Sequence, residues 1–340
     1  MRVLGLLLIT SLLIASCDDE TVLPPDPVDI GAHDVLVLNE GNFQRGNASL
    51  GVYSPVSNTY SKQVFKSEVG YPIGDVLQSV SVVNGEYWLV INNSGKIVVL
   101  DSATLTFKHE ITGFTSPRYV QSTNNDSKVF VSDLYADELY VVDPKNYAIT
   151  NHISLNGWTD QMAMVASHLW VANREHPYVY VVDVDKEQVV DSIEIGDNPN
   201  TLLQLHGVNV AVLCEGKLNS GAPAEIHLID PKARASFKVI TLDAAIKPLH
   251  LRQDPETGNL YCIDRGIHFI DLVDYTYREK VVDLPDANLY GFDIDRNTGN
   301  IYVSDAKDFV QRSEVLVYNK KFELQRSFTA GVITGAFEFR

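Results

Sequence analysis

The chain has 340 residues, 45% of them hydrophobic, and carries a formal net charge of −17 at pH 7. That share of hydrophobic residues suffices for a folded core, whereas the negative charge is repelled by nucleic-acid phosphates and anionic lipid, so we expect no nucleic-acid partner. After the first apolar run, none approaches the roughly 20 residues that a membrane-spanning helix needs.

The chain begins with a short apolar run at residues 3–15, preceded by Arg2. A basic start, an apolar core and small residues are typical of a secretory signal peptide, which is removed from the mature protein. A buried N-terminal helix is the alternative, but acidic and Pro-rich sequence follows with no helical period. The ending "LIASC" resembles a bacterial lipobox. This resemblance implies that residues 1–16 are removed and that Cys17 is lipidated.

Residues 17–33 follow as a lipidated cysteine and a Pro-rich tether. "TVLPPDPVDI" at 21–30 contains three prolines, which favour an extended chain of about 3.1 Å per residue. The acidic residues Asp18, Asp19 and Glu20 resemble the export signal that carries some lipoproteins to the outside of the outer membrane. The expected location is therefore the outer membrane, facing the cell exterior, with the lipid anchor as the only membrane attachment.

Residues 34–340 contain a repeat. An alternating apolar strand and a turn residue recur every 40 to 48 residues, with the turn residues at Ser54, Asp101, Asp143, Asp183, Asp230, Asp271 and Asn319. Alternation of apolar and polar residues is typical of strands, and seven units of this length match the blade period of a β-propeller. The predicted fold class is all-β: a single seven-bladed propeller at residues 34–340.

Each unit divides into four strands, which in the unit around Asp143 are predicted at 118–122, 128–133, 138–143 and 148–155. The first unit, residues 35–65, supplies only three strands, and residues 331–339 form one additional strand at the C-terminus. We expect this C-terminal strand to complete the N-terminal blade and to close the ring, which leaves no long open edge.

The sequence contains no catalytic motif such as H-E-x-x-H, G-x-S-x-G, a P-loop or a Rossmann glycine pattern, and no histidine pair at metal-ligand spacing. Asp293, Asp295 and Asn297 resemble part of a calcium loop, but the following glycine comes one position late and no distal Glu follows, which favours a hairpin turn. His227 and His268 share one repeat position, which favours a structural role. We therefore predict a non-enzymatic protein with no catalytic residue, no metal site and no cofactor.

An Asn or Asp recurs where the second strand of a unit ends, at Asn39, Asn92, Asp133, Asn173, Asp264 and Asp305. A periodic residue of this type favours a turn that caps the strand. Cys214 and Cys262 lie at strand positions in neighbouring units, and the sequence leaves open whether they are buried thiols or a disulfide.

The loops after these capping residues differ between units and should emerge on the same face as the loops that lead into each innermost strand. Unequal loops on one face of a rigid ring commonly carry function. The candidate ligand-binding residues on this face are Asn42, Phe43, Arg45, Tyr71, Asn92, Tyr135, Trp158, Arg174, Arg265, Tyr290 and Phe309. Aromatic rings mixed with amide and guanidinium donors suit a large ligand rich in amides or hydroxyls. For any single aromatic, packing between blades remains the alternative.

The "YVVD" repeat resembles the YncE-type seven-bladed propellers. The stretches "VLNEGNFQRGNAS" and "GDVLQSVSVVNGEYWLVINNSGKI" resemble more narrowly the surface lipoprotein propellers that include the BtuG family. This second resemblance implies capture of cobalamin, as ligand and not as cofactor, and transfer to a TonB-dependent transporter of the outer membrane. It requires no protein ligand to cobalt.

Two other functions remain open. A glycan- or protein-binding surface module would use the same aromatic residues. A propeller hydrolase or lactonase would need His, Asp or Glu around a metal near the central channel. The positions predicted to lie nearest the channel contain no acid, which argues against the hydrolase: Ser79, Arg118, Gln161, Asn200, Leu249, Tyr290 and Gly335.

Overall fold

The computed structural model describes residues 30–206, 209–217 and 221–340. The expected signal peptide, the lipidation site Cys17 and most of the expected tether lie outside these residues. Within the described part of the chain, no helix is both long and apolar enough to cross a membrane.

The described residues form seven four-stranded antiparallel sheets, here called blades I to VII. Blade I contains β1 (Val35–Asn39), β2 (Ser49–Ser54) and β3 (Thr59–Ser61), and its innermost strand is the last of the chain, β28 (Thr334–Phe339). A short helix, α1 (Val64–Val69), leads to blade II, which contains β4 (Leu77–Val83), β5 (Glu86–Ile91), β6 (Lys96–Asp101) and β7 (Phe107–Thr112). A turn of 3-10 helix at Asn92–Ser94 joins β5 to β6.

The next blades follow the same order from the innermost to the outermost strand. Blade III is β8 (Pro117–Ser122), β9 (Val129–Asp133), β10 (Glu138–Asp143) and β11 (Ala148–Ser154). Blade IV is β12 (Thr159–Val165), β13 (His168–Asn173), β14 (Tyr178–Asp183) and β15 (Gln188–Glu194). Blade V is β16 (Pro199–Gln204), β17 (Val210–Cys214), β18 (Glu225–Asp230) and β19 (Ala235–Thr241).

The last two blades complete the ring. Blade VI is β20 (Leu249–Gln253), β21 (Leu260–Ile263), β22 (Gly266–Asp271) and β23 (Thr276–Asp283). Blade VII is β24 (Leu289–Ile294), β25 (Ile301–Asp305), β26 (Arg312–Tyr318) and β27 (Leu324–Val332). The prediction of one seven-bladed propeller is confirmed, and the four strands predicted around Asp143 agree with β8 to β11 to within a residue or so.

The hydrophobic core lies between neighbouring blades. Second strands such as β5 ("EYWLVI") are buried along their whole length because a neighbouring blade covers each face of the sheet. Trp88 and Trp170, one in each of two such strands, are buried in separate interblade clusters. Outermost strands such as β11 and β15 are mostly exposed, as expected where a sheet meets solvent.

The chain termini close the ring as predicted. β28 pairs antiparallel with β1, with Phe337 opposite Val37. Asn39 secures the junction: its Oδ1 accepts hydrogen bonds from the Gly331 amide (2.9 Å) and the Thr334 hydroxyl (2.6 Å). Pairing of the two ends removes the open edge that either terminal segment would otherwise present.

The two described cysteines are free thiols. Cys214 lies in β17 and Cys262 in β21, and both are buried. Burial raises the pKa of both thiols. The question that the sequence left open is therefore answered in favour of two inert thiols that pack as small apolar side chains.

Candidate functional site

The loops between second and third strands emerge on the same face as the loops that lead into the innermost strands. We call this end of the ring the loop face. Asp133, at the end of β9, accepts hydrogen bonds from the amides of Thr115 and Ser116 just before β8. At the equivalent position of blade II, the side chain of Asn92 donates a hydrogen bond to the carbonyl of Pro117 at the start of blade III. The periodic Asn and Asp residues are thus structural, because they tie each second strand to a neighbouring loop.

Every innermost strand contains a register shift near its loop-face end. In β12, Thr159 pairs with Asn173 and Met162 pairs with Val171, so three steps on one strand oppose two on the other. Equivalent shifts occur in β4, β8, β16, β20, β24 and β28. A bulge of this kind turns consecutive side chains toward the same side. It therefore brings extra polar residues into the central channel.

A cavity of about 390 Å³ opens at the centre of the ring beside the loop face. All seven positions predicted to lie near the channel contribute to its wall: Ser79, Arg118, Gln161, Asn200, Leu249, Tyr290 and Gly335. The volume is at the lower end of the range of about 300–1,000 Å³ that is usual for small-molecule pockets.

A chain of ion pairs crosses one side of this cavity. The buried carboxylate of Asp160 lies between two guanidinium groups, 3.4 Å from Arg118 Nε and 3.3 Å from Arg174 Nη1. Arg174 also lies 3.4 Å from Glu215 Oε1. Burial by itself would lower the pKa of Arg118, but the negative charge of the nearby Asp160 carboxylate outweighs this effect, and the pKa of Arg118 is raised.

On the other side of the cavity lie two glutamates with raised pKa values, Glu40 and Glu338. Burial raises the pKa of Glu40 to about 7, although a hydrogen bond from Tyr290 and the charge of Arg118 oppose the shift. Burial and the nearby Asp293 carboxylate raise the pKa of Glu338 to about 7 as well. Near neutral pH both groups therefore exist partly in the neutral form.

These acids are not among the residues predicted from the sequence. The seven positions predicted to lie nearest the channel include no acid, yet the same cavity is lined by Glu40, Asp160, Glu215, Asp293 and Glu338. Asp160 directly precedes Gln161, one of the predicted channel positions. In a regular strand the Asp160 side chain would point away from the channel, but the bulge in β12 turns it toward the channel. The ends of the second strands gave a usable signal, since Glu40 directly follows the last residue of β1, Asn39, and Glu215 directly follows the last residue of β17, Cys214. Within the described residues, no group of three or more His, Cys, Asp or Glu side chains could hold a metal ion.

Two aromatic pairs stand on opposite sides of the cavity. Tyr135 and Trp158 contact edge to face with ring centroids 5.7 Å apart, and the Trp158 carbonyl accepts a hydrogen bond from the Arg174 amide. Tyr290 and Phe309 contact in the same way at 5.8 Å. The first pair belongs to blades III and IV and the second to blade VII, so the two pairs lie about half the ring apart.

The loop that follows β1 in blade I contacts the second aromatic pair, Tyr290 with Phe309. Asn42 Nδ2 donates a hydrogen bond to the Phe309 carbonyl (2.7 Å), which brings the neighbouring Phe43 to the same side of the ring. Phe43, Tyr135, Trp158 and Phe309 are all substantially exposed, Trp158 at 41%. Exposed rings in this number on one face are uncommon unless they contact a partner or a ligand.

The remaining predicted site residues lie elsewhere. Tyr71 packs edge to face on Phe65 of α1, which in turn contacts Phe107 of the outermost strand β7, so it belongs to the periphery. Asn92 is engaged with Ser116 and Pro117. Arg45 is exposed in the loop after β1. Arg265 pairs with Asp264 and is 58% exposed. Of the predicted set, Arg174 and Tyr290 line the cavity.

Fold and site together define a seven-bladed β-propeller with a polar central cavity and an aromatic loop face. Residues 33–251 match the family described as a domain of unknown function, DUF5074, and the chain belongs to this family. No curated protein matches the chain.

Several solved structures share the fold at low identity. A quinonprotein alcohol dehydrogenase-like protein from Bacteroides thetaiotaomicron is 14% identical, with a TM-score of 0.70 over 91% of this chain and 78% of that one. Apo AztD from Citrobacter koseri is 13% identical, with a TM-score of 0.59 over 91% and 99%. Hydrazine synthase from Kuenenia stuttgartiensis is 12% identical, with a TM-score of 0.61 over 76% and 87%. These likenesses show the propeller fold alone.

Proposed function

We propose that this protein is a non-enzymatic surface lipoprotein that binds cobalamin or a related corrinoid on its loop face and passes it to a TonB-dependent transporter of the outer membrane. The observation that carries the proposal is the two aromatic pairs of the loop face, Tyr135 with Trp158 and Tyr290 with Phe309, which lie in blades on opposite sides of the ring around the polar cavity that Tyr290 lines. The resemblance of the blade I and blade II stretches to the BtuG family supports the choice of ligand.

The volume of the central cavity favours a ligand that lies across its opening. A corrinoid is larger than the drug-sized molecules that pockets of about 300–1,000 Å³ enclose, so its macrocycle would lie across the opening of a cavity of about 390 Å³. The exposed rings would contact its apolar surface. Its peripheral amide groups are short enough to enter the cavity.

The charges of the cavity favour a neutral ligand group. Three arginines and five acidic residues line it, and the three arginines each pair with a carboxylate: Arg118 and Arg174 with Asp160, and Arg252 with Asp293 at 3.0 Å. A free anion would therefore meet carboxylates as well as guanidinium groups, whereas a neutral amide can donate to the former and accept from the latter.

The anchor is the second part of the proposal. Lipidation of Cys17 would attach the propeller to the outer membrane through several acyl chains, each buried methylene contributing about 0.8 kcal/mol, and the tether would hold the loop face accessible to a transporter. Replacement of Cys17 by Ser should release the protein from the membrane fraction of its host. Equal membrane association of C17S and wild type would contradict the anchor without bearing on ligand binding.

A glycan-binding module is the second candidate, because exposed Trp158 and Phe43 rings also suit stacking on sugars. A hydrolase or lactonase has less support, since four of the five cavity carboxylates, those of Glu40, Asp160, Glu215 and Asp293, are engaged with arginine, tyrosine or asparagine partners.

Calorimetric titration separates the two binding functions. We expect the purified protein to bind cyanocobalamin saturably, one to one, at micromolar protein concentration. Heat from cell-surface oligosaccharides together with none from cyanocobalamin would overturn the corrinoid proposal in favour of the glycan module.

A further inference from the structure

We infer that the side-chain carbonyl of Asn200 is the hydrogen-bond acceptor of a subsite for a primary carboxamide in the central cavity. The natural source of that amide, a peripheral side chain of a corrinoid, rests on the proposed function. The subsite itself rests on the geometry around Asn200.

Asn200 is only 8% exposed and lines the cavity from the start of β16. Its Nδ2 donates a hydrogen bond to Glu215 Oε1. Its Oδ1 is buried, and none of the groups in the described parts of the chain donates a hydrogen bond to it. A buried acceptor that stays unpaired costs about 1–3 kcal/mol, so a ligand N–H that reaches Asn200 Oδ1 would recover this cost on binding.

The orientation of the Asn200 amide is fixed by its neighbour. The Glu215 carboxylate also accepts a hydrogen bond from Asn198 Nδ2 (2.7 Å) and contacts Arg174. If the Asn200 amide were reversed, its oxygen would face the acceptor-only oxygens of Glu215. The unpaired atom is therefore the acceptor Asn200 Oδ1, and a ligand that pairs with it must supply a hydrogen-bond donor.

The surroundings select the kind of donor. The Asp160 and Glu215 carboxylates beside Asn200 are already paired with Arg174, so an ammonium group there would find no unpaired carboxylate and would be repelled by the guanidinium charge. A neutral primary carboxamide offers an N–H to Asn200 Oδ1 and a carbonyl to the guanidinium groups of Arg118 and Arg174 in the same cavity wall. Sugar hydroxyls share the donor chemistry, so the experiment includes them.

The test uses small probes. Acetamide carries the expected N–H donors, N,N-dimethylacetamide lacks them, and methylammonium and glycerol represent the charged and hydroxyl donors. Saturation-transfer NMR compares wild type with Asn200→Leu, which removes the acceptor, and with Asn297→Leu in an exposed hairpin turn of blade VII. We expect signal from acetamide with wild type and N297L, about tenfold weaker signal with N200L, as expected for one hydrogen bond, and less from the other three probes.

A second measurement does not depend on a variant that folds. In ¹⁵N-labelled wild type, the Asn200 side-chain amide resonance should shift when acetamide is added and should not shift with N,N-dimethylacetamide. An unmoved Asn200 resonance, equal acetamide signals from folded N200L and wild type, or a stronger signal from methylammonium or glycerol than from acetamide would overturn the inference.

A cyanocobalamin titration distinguishes this inference from the proposed function. If wild type binds cyanocobalamin about tenfold more tightly than N200L, both are supported. If wild type and N200L bind it equally, the inference fails and the function stands. If neither binds it while acetamide still shifts Asn200, the corrinoid function fails and the carboxamide subsite stands.

Discussion

The hydroxyl of Tyr290 lies within hydrogen-bond distance of both carboxylate oxygens of Glu40, at 3.0 and 3.1 Å, although 250 positions separate the two residues. Tyr290 is in the innermost strand of blade VII and Glu40 directly follows β1 of blade I, so the contact spans the blades that meet where the chain closes on itself. The Glu40 amide also donates to the Ile333 carbonyl just before β28. Ring closure and the wall of the cavity therefore depend on the same residues.

The first prediction concerns the acidity of Glu40. Its pKa is raised from 4.5 to about 7 in the folded protein, so between these pH values the folded state binds more protons than the unfolded state. The free energy of unfolding should then fall as pH rises from about 4.5 through 7, and the penalty persists above pH 7. Glu40→Gln keeps an acceptor for Tyr290 and removes the penalty, so it should stabilise the protein at pH 8 by about 1–3 kcal/mol.

Chemical denaturation at pH 5 and pH 8 measures this effect. Glu68→Gln, an exposed position in α1, serves as the control and should leave the pH dependence unchanged. If E40Q and wild type lose stability equally between the two pH values, the pKa of the Glu40 carboxyl is not raised in the folded protein.

The second prediction concerns closure of the ring by Asn39. Its side chain accepts from Gly331 and Thr334 and donates to the Ser49 carbonyl, and it is fully buried. Asn39→Ala removes these bonds and leaves buried partners unpaired, so we expect a loss of about 2–4 kcal/mol in the free energy of unfolding. Asn297→Ala should change it by no more than about 0.5 kcal/mol. Similar melting of N39A and wild type would mean that strand pairing alone holds the termini.

The third prediction compares two arginines at the same repeat position. Arg174 follows Asn173 and bridges Asp160 and Glu215, whereas Arg265 follows Asp264 and is largely exposed. Arg174→Met should cost about 1–3 kcal/mol, because Asp160 loses one of its two cationic partners and keeps Arg118. Arg265→Met should cost about 0–1 kcal/mol, as for exposed ion pairs. Equal losses in thermal denaturation of the two variants would contradict the ion-pair chain.

Much of the fold could be predicted because the propeller repeats one local pattern. Alternating strands and turn residues such as Asp101 and Asp143 recur at blade spacing, and the three-stranded first unit left a place that only the C-terminal strand could fill. The same regularity placed all seven channel positions correctly.

The site was harder to predict because it departs from the regular pattern. Bulges in the innermost strands bring Asp160 into the cavity beside Gln161, and no propensity scale marks where a bulge occurs. Tyr71 and Trp158 look alike in sequence as aromatic loop residues, yet Tyr71 packs on Phe65 at the periphery and Trp158 lies beside Arg174. Such differences arise from contacts between segments distant along the chain.

The most direct test of the account is calorimetric titration of cyanocobalamin into Trp158→Ala, Phe309→Ala and Tyr71→Ala beside wild type. All three remove an exposed aromatic ring, but only Trp158 and Phe309 belong to the two aromatic pairs of the loop face, Tyr135 with Trp158 and Tyr290 with Phe309. We expect W158A and F309A each to weaken binding about tenfold or more, and Y71A to bind as wild type does. Wild-type affinity in W158A and F309A, or an equal loss in Y71A, would contradict binding at the loop face.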